Sequence, residues 1–175
     1  MHTAQERQAQ LVEQIETLLP EWSMAPLVTA LRGLRGLDFI SAVTFVAAVG
    51  DLSRFKTPRQ LMNYLGLVPS EQSSGERIRR GGITKTGNGE ARRMLVEAAW
   101  SYRYPARVAI EKTRIIADLP KAVRDIAWKA QVRLCARYRK LSAGGKKSTA
   151  VVVAIARELS GFVWAVSREV IPTTG

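Results

Sequence analysis

The stretch that decides the fold is residues 66–88, which read Gly-Leu-Val-Pro-Ser-Glu-Gln-Ser-Ser-Gly-Glu-Arg-Ile-Arg-Arg-Gly-Gly-Ile-Thr-Lys-Thr-Gly-Asn. It has no helical period, and it contains Pro69 and five glycines, so we predict a long irregular loop. A loop of this length between helices is usually either functional or disordered. Apolar residues that could anchor it favour a functional loop: Leu67, Val68, Ile78 and Ile83.

The composition of this loop favours phosphate binding. It carries the adjacent hydroxyls of Ser73 and Ser74, followed by four cationic side chains. Glycine lets the backbone approach a bulky anion, and the arginine guanidinium binds phosphate in a fixed fork. The cations are Arg77, Arg79, Arg80 and Lys85. We therefore interpret this stretch as a phosphate-binding loop.

The rest of the chain predicts an all-α fold, a multi-helix domain built around the Gly/Arg-rich loop. Apolar residues recur at helical spacing on both sides of the loop. Thr57 followed by Pro58 is typical of a helix start, and the run Ala150–Ala156 is apolar nearly all round, which predicts a buried central helix. The predicted helices cover residues 3–19, 24–35, 39–49, 58–65, 89–104, 106–117, 119–140 and about 148–170.

The amino-terminal helix has a narrow apolar stripe. Polar residues occupy the rest of its surface, so the helix could pair with another helix or pack on its own domain. We predict a coiled-coil-like helix over residues 1–20 and a single domain over residues 21–175. The stripe consists of Leu11, Val12, Ile15, Leu18 and Leu19.

Residues 34–42 resemble a helix-hairpin-helix element. In that motif a glycine turn offers backbone N–H groups to a DNA phosphate. Asp38 stands where the motif has its second glycine, and its charge would repel a phosphate, so a purely structural hairpin is an alternative. Aromatic residues at 100, 102 and 104, among arginines, could stack on bases or belong to the core.

The net charge of +12 is unevenly distributed. Residues 1–73 carry 6 basic and 7 acidic side chains, whereas residues 101–147 carry 13 basic and 3 acidic ones. Such a local excess attracts nucleic acid, and affinity gained in this way falls with salt. The position of the excess, directly after the Gly/Arg-rich loop, favours a nucleic-acid partner over a merely solvated basic face.

Composition excludes several classes of protein. The only cysteine is Cys135 and the only histidine is His2, which rules out an intrachain disulfide framework and a structural zinc site. No uninterrupted apolar run approaches the roughly 18–20 residues of a membrane span, and the first residues do not resemble a signal peptide. We therefore expect a cytoplasmic protein without a membrane partner.

Four segments together identify a family resemblance: residues 64–70 (Tyr-Leu-Gly-Leu-Val-Pro-Ser), residues 73–75 (Ser-Ser-Gly), residues 82–88 (Gly-Ile-Thr-Lys-Thr-Gly-Asn) and residues 91–93 (Ala-Arg-Arg). They resemble the carboxy-terminal transposase domain of bridge-RNA-guided insertion-sequence transposases with an amino-terminal DEDD domain, relatives of the pilin-gene invertase. The resemblance runs from about Leu31 to about Tyr104.

This resemblance implies a site and a reaction. The family's nucleophile, a serine before a glycine that forms a 5′-phosphoserine link to DNA, falls on Ser74, with Ser73 as the alternative. The residues alone also allow, and favour, a Ser-Gly turn in a phosphate-binding loop with no covalent role. The resemblance and the loop chemistry together predict DNA-phosphate contacts at Arg77, Arg79, Arg80, Lys85, Asn88, Arg92 and Arg93.

The family's other catalytic half is a metal-binding acidic domain of RNase H-like fold. The seven carboxylates of residues 1–73 are scattered over predicted helices and the connections between them, without the strands of that fold. We therefore expect no cofactor in this chain, a divalent metal such as Mg²⁺ only in an upstream domain that is missing here, and no autonomous activity. Expected partners are DNA, a guide RNA, and further copies or a full-length transposase. The alternative is a truncated, non-catalytic module that binds DNA or guide RNA.

Overall fold

The computed structural model describes residues 3–74, 77–83 and 87–171, with residues 70–74 and 77–83 described by their backbone. These residues form an all-α domain, which confirms the predicted fold class, with one β-hairpin inserted. The elements are α1 (Ala4–Leu18), α2 (Ala25–Leu31), α3 (Phe39–Val49), α4 (Pro58–Tyr64), β1 (Pro69–Ser74), β2 (Arg77–Ile83), α5 (Gly89–Ala99), α6 (Ile110–Ala117), α7 (Lys121–Ala143) and α8 (Ser148–Val170), with 3₁₀ turns at Leu19–Glu21, Leu52–Arg54 and Trp100–Arg103.

Helix α8 is the centre of the core. It packs against α2, α4, α5 and α7, and nine of its residues are buried, including Val152, Ile155 and Leu159. By length and composition alone α8 could cross a membrane. Its burial among four other helices is instead that of a core helix, as the apolar run at Ala150–Ala156 predicted.

Helix α1 lies at the edge of the domain. A capping box starts it, in which the Thr3 hydroxyl accepts from the Glu6 N–H and the Glu6 carboxylate accepts from the Thr3 N–H. None of its residues is buried. Leu11 and Leu18 are 58% and 61% exposed, whereas the other three residues of the stripe pack partly on the core. Two of the five stripe residues are therefore available to a partner, and the predicted pairing with another helix stays a prediction.

The central stretch differs from the predicted irregular loop. β1 and β2 pair as an antiparallel hairpin, in which Ser74 lies opposite Arg77 and Pro69 lies opposite Ile83. The register shifts by one residue where Gly81 and Gly82 face Ser70, as in a β-bulge. The strands of this ribbon are polar and lack the alternation that a half-buried strand shows, so no strand pattern could be detected beforehand.

The turn between α2 and α3, the segment that resembles a helix-hairpin-helix, is shaped by packing and by a helix cap. Gly36 has φ +87°, and a Cβ there would come within 2.5 Å of the Ala98 carbonyl oxygen in α5. Asp38 caps α3, because its carboxylate accepts from the Ser41 N–H at 2.8 Å while the Ser41 hydroxyl accepts from the Asp38 N–H at 2.9 Å. Glycine is thus required at 36 by contact with α5, and aspartate at 38 has a structural role. DNA contact through this turn stays a prediction.

Candidate nucleic-acid interface

The candidate nucleophile lies at the outer end of the hairpin. Ser74 is the last residue of β1 and pairs with Arg77, the first residue of β2, while Ser73 pairs with Ile78 and Gln72 with Arg79. Alternate positions of a strand, and directly paired positions of neighbouring strands, share a face of the sheet. Position 74 therefore shares a face with positions 77 and 79. Gly75, the glycine that follows Ser74, and Lys85 lie outside the described residues.

The root of the hairpin is built into the helical core. α4 ends in a Schellman motif: the Gly66 N–H donates to Asn63 O and the Leu67 N–H donates to Met62 O, both at 3.0 Å, with Gly66 at φ +68°. Leu67 is fully buried. On the returning side, Gly87 has φ +78°, and a Cβ at this position would overlap the carbonyl oxygen of Tyr64. The two arms of the hairpin are thus fixed at one point beside the end of α4.

Asn88, predicted to contact phosphate, fixes the start of α5. Its Oδ1 accepts from the Ala91 N–H at 3.0 Å, and its Nδ2 donates to the Ala48 carbonyl oxygen of α3 at 3.0 Å. The side chain therefore caps one helix and ties it to another. If Asn88 contacts a phosphate as predicted, it does so through the second hydrogen of Nδ2.

Arg92 and Arg93 differ in their surroundings. The Arg92 guanidinium donates to the Leu65 carbonyl oxygen at 3.1 Å, which ties the first turns of α5 to the end of α4. Arg93 is exposed and lies 4.0 Å from Glu97, a spacing at which an exposed ion pair contributes little. Arg92 thus supports the root of the hairpin, whereas Arg93 presents its charge to solvent nearby.

Lys112 is a half-buried cation that sequence reasoning missed. Its ammonium donates to the carbonyl oxygens of Arg32, Leu34 and Leu37 at 2.8, 2.8 and 2.9 Å, and so satisfies the end of α2 and the turn that follows it. Burial lowers the pKa of Lys112 to about 8, although the nearby Asp38 carboxylate opposes this shift. A lone lysine among polar residues carries no sequence signal for such a role.

Asp38 shows the converse electrostatics. Burial alone would raise the pKa of its carboxyl, but hydrogen bonds from the Ser41 backbone and hydroxyl, together with the charge of Lys112, hold the pKa below its usual value. The carboxylate is therefore charged and structurally engaged. A phosphate at this turn would meet that negative charge, as the sequence argument anticipated.

The outer face of α7 carries the basic excess. Arg133 and Arg137 each lie 2.9 Å from the Glu158 carboxylate of α8, and Lys121 pairs with Asp125 at 2.7 Å. Within the part of the chain that the structure describes, four further cations of α7 form no ion pair, which leaves this face strongly positive. They are Arg124, Lys129, Arg139 and Lys140.

The three aromatic residues after α5 differ in how deeply they are buried. Tyr102 is fully buried, its hydroxyl donates to the Arg35 carbonyl oxygen at 2.9 Å, and burial raises its pKa. Trp100 is half-buried, and Tyr104 is exposed. The core interpretation of this cluster is confirmed for Tyr102, whereas base stacking by the exposed Tyr104 stays a prediction.

No group of three or more His, Cys, Asp or Glu side chains that could hold a metal ion occurs among residues 3–74, 77–83 and 87–171. The described residues therefore do not fit a divalent metal centre.

Comparison with known proteins matches residues 28–118 to the family described as "Transposase IS116/IS110/IS902 family". The matched region runs from within α2 to the end of α6 and includes the whole hairpin. The protein named "Putative transposase y4qE" of Sinorhizobium fredii is 57% identical over 171 residues, which is 95% of this chain and 44% of the relative. The "Transposase for insertion sequence element IS1111A" of Coxiella burnetii is 36% identical over 69 residues, 39% of this chain and 19% of the relative.

The chain thus spans less than half the length of the relatives that it matches. The resemblance noted from the sequence is confirmed at the level of the transposase family. Since the family match covers more than half of its residues, the chain belongs to the IS116/IS110/IS902 family of transposases.

Proposed function

We propose that this chain is the DNA-binding strand-exchange domain of an insertion-sequence transposase, with Ser74 as its nucleophile. The observation that carries the proposal is the register of the hairpin, which pairs Ser74 with Arg77 at the outer end of a ribbon whose root is fixed in the core. A catalytic group needs such a rigid support to keep its geometry toward the substrate.

The same register favours Ser74 over Ser73. Position 74 shares its ribbon face with two arginine positions, 77 and 79, whereas position 73 shares its face with Ile78 and with the paired residues Glu71 and Arg80. Two guanidinium groups beside an attacked phosphate stabilise the negative charge that develops on its oxygens. Glu71 would oppose that charge on the Ser73 face.

The proposed reaction is a transesterification. The Ser74 oxygen attacks a DNA phosphorus, a serine–phosphate bond forms, and the bond from phosphorus to the 3′ oxygen breaks. The hydroxyl proton of the serine leaves, and the released 3′ oxygen takes up a proton. The products are a 5′-phosphoserine and a free 3′-hydroxyl, and attack by a second 3′-hydroxyl reverses the step and joins a new strand. Atoms and charge balance without a co-reactant.

The remaining parts of the proposal rest on the family resemblance. We propose that the acidic, metal-binding DEDD domain of the complete transposase works together with this domain, that a guide RNA takes part in target choice, and that the assembly is oligomeric and cytoplasmic. The charge of the outer face of α7 supports DNA as the partner, because phosphate neutralisation is the main source of affinity for such surfaces.

A trapped protein–DNA adduct tests the nucleophile. The chain is combined with the acidic domain of a relative, guide RNA and a divalent metal, and is incubated with labelled DNA from the ends of the genetic element that carries the gene. We expect an adduct that survives denaturation, with the added mass on the peptide that contains Ser74. Ser74→Ala should abolish it while changing duplex affinity little, since a hydroxyl contributes little to phosphate binding beside arginine.

Ser73→Ala is the matched control and should retain the adduct. An adduct that persists in Ser74→Ala but is lost in Ser73→Ala would move the nucleophile one residue upstream. Equal losses of binding and reaction in Ser74→Ala would mean that the serine is structural. Duplex binding without any adduct from the parent chain would favour the alternative function, a non-catalytic nucleic-acid-binding module.

The salt dependence of duplex binding tests the electrostatic part. Several phosphate contacts should lower the affinity by orders of magnitude between about 50 and 200 mM salt. Arg79→Ala and Arg80→Ala should each weaken binding and reduce the salt slope by about one. An affinity that stays constant over this range would rule out phosphate-driven binding.

A further inference from the structure

A second surface, made of residues that are not part of the β-hairpin, combines exposed aromatic and apolar side chains with cations. Tyr104 is 52% exposed, Trp128 48% and Val132 47%. Trp128 and Val132 are one turn apart on α7, and Arg124 lies one turn before Trp128. Arg139 follows Trp128 by eleven residues, close to three turns, so it continues the same face. We call this set, with Lys129, the Trp128 surface.

Arg35 holds the two parts of this surface together. Its Nη1 donates to the carbonyl oxygens of Tyr104 and Pro105 at 3.3 and 2.9 Å, and it lies 3.3 Å from the Cys135 sulfur of α7. Cys135 is one turn from Gln131 and Arg139 on that helix. The segment that carries Tyr104 is therefore fixed against α7 beside the exposed face. Arg103 extends it, since its guanidinium stacks on the Tyr104 ring at 4.7 Å.

The charge of the Trp128 surface is uncompensated within the described residues. Two acidic side chains of α7 and α8 are engaged with other cations: Asp125 pairs with Lys121, and Glu158 lies between Arg133 and Arg137. The cations of the surface, Arg124, Lys129 and Arg139, form no ion pair in the ranges that the structure describes. A partner that covers this surface must therefore be negatively charged.

The aromatic side chains narrow the choice of partner. A half-exposed tryptophan leaves a large apolar area in water, which costs free energy unless a ligand covers it. Aromatic rings among cations are the recurring means of binding unpaired nucleic acid, in which bases stack on the rings and the backbone follows the charges. A duplex keeps the faces of its bases stacked inside, so it could use the cations of this surface but not its rings.

We infer that the Trp128 surface binds an unpaired DNA strand, with bases stacked on Trp128 and Tyr104 and phosphates on Arg124, Lys129 and Arg139. The inference rests on the proposed function, because strand exchange requires DNA strands to leave their duplex. It adds a second contact region to that function: the hairpin holds the reacting phosphate, and the Trp128 surface holds a separated strand.

Fluorescence tests the stacking directly. Labelled oligothymidylate of about 16 nucleotides, the upper end of single-strand site sizes, is titrated with the chain, and both anisotropy and intrinsic tryptophan emission are recorded. We expect binding to quench the emission. Trp128→Leu should remove most of the quenching and weaken binding about 5- to 150-fold, the range that corresponds to 1–3 kcal/mol per stacked base. Tyr104→Leu should weaken binding without removing the quenching.

Matched variants separate this surface from general effects. Ile110→Ala removes another exposed apolar side chain, and Arg7→Ala removes one exposed charge on α1, so neither should change affinity for the oligothymidylate by more than about twofold. Arg139→Ala should lower the salt slope for the single strand by about one. Circular dichroism verifies that each variant retains its helices.

Several results would overturn the inference. They are unchanged single-strand affinity in folded Trp128→Leu and Tyr104→Leu variants, an equal loss of duplex affinity in both, or tenfold tighter binding of an RNA of the same length. Failure of the proposed function looks different. In that case Arg79→Ala leaves duplex binding intact and no adduct forms on Ser74, whatever the oligothymidylate titration shows.

Discussion

Helices α7 and α8 have the same length, 23 residues each, and pack against each other, yet they have different roles in the domain. α8 buries nine residues and contacts four helices, so it organises the core. α7 buries seven residues on one side and presents cations and Trp128 on the other. The difference teaches that burial locates the residues that stabilise the fold, and uncompensated charge locates those available to a partner.

The largest effect should come from the core side of this comparison. Leu159→Ala in α8 removes a fully buried side chain from the contact of several helices, and we expect the free energy of unfolding to fall by about 3–5 kcal/mol. Val132→Ala on the outer face of α7 should change it by less than about 0.5 kcal/mol. Urea unfolding of the two variants measures both values, and similar losses would contradict the assigned division.

This division was partly readable from the sequence. The apolar run Ala150–Ala156 predicted a buried helix, and the charge excess at residues 101–147 predicted a basic face, because both signals depend on composition over several turns. Sequence reasoning extended the helix after the central stretch to residue 104, whereas α5 ends at Ala99 and a 3₁₀ turn covers Trp100–Arg103. Whether a given aromatic faces inward depends on its neighbours in space, which is why Tyr102 and Tyr104 could not be separated beforehand.

Two glycines in the connections between elements also differ, in the space that surrounds them. Gly145, in the turn between α7 and α8, and Gly87, at the hairpin root, have nearly the same φ, +80° and +78°. A Cβ at Gly145 would meet nothing within 4 Å, whereas at Gly87 it would overlap the Tyr64 backbone. We expect Gly145→Ala to cost about 1–2 kcal/mol, the penalty of the left-handed conformation alone, and Gly87→Ala to cost about 3 kcal/mol.

Thermal unfolding of the two variants measures this difference. Hydrogen exchange should also show faster exchange of the amides of residues 64–67 in Gly87→Ala, because those residues form the hairpin root. Equal destabilisation by the two substitutions would mean that the root tolerates a side chain, and the hairpin would then lack the rigid support on which the role of Ser74 depends.

The candidate site was less predictable than the helices. The composition of residues 66–88 predicted a phosphate-binding loop, which stays a prediction. The pairing of these residues into strands depends on backbone hydrogen bonds between polar residues, which leave no hydrophobic pattern. Asn88 and Arg92 were predicted as phosphate ligands, and the structure shows them tying α5 to α3 and α4. Their place beside the loop was thus visible in the sequence, whereas their hydrogen-bond partners were not.

Lys112 is half-buried, in contrast to the exposed cations of α7. Its titration should have the next largest effect on the free energy of unfolding. Its pKa in the folded chain, about 8, is below that of an unfolded lysine, about 10.4. Between these values the unfolded chain binds the extra proton, so the contribution of Lys112 to stability rises with pH and is constant below about pH 8. We expect a gain of about 1–2 kcal/mol from about pH 8 to pH 9.5, below the titration of ordinary tyrosines.

Unfolding free energies of the parent chain and of Lys112→Met across this range isolate the effect. The variant should lack the rise, although it is less stable throughout because three carbonyl oxygens lose their donor. Lys129→Met on α7 is the exposed control and should keep the rise. Parallel pH profiles for the parent chain and Lys112→Met would exclude a lowered pKa at this position.

The smallest effect on stability, and the one that tests partner binding most directly, concerns α1. Leu11 and Leu18 are mostly exposed, so Leu11→Glu together with Leu18→Glu should change the unfolding free energy by less than about 0.5 kcal/mol. If the stripe faces a partner helix, the parent chain should self-associate in sedimentation experiments at high concentration, and the double variant should remain monomeric, because a buried carboxylate pair opposes coiled-coil packing. The matched control is a double variant on the same helix outside the stripe, Gln10→Glu with Gln14→Glu. It adds the same charge and should leave association unchanged. A parent chain that is monomeric at all concentrations, or a double variant that associates equally well, would mean that α1 packs only on its own domain.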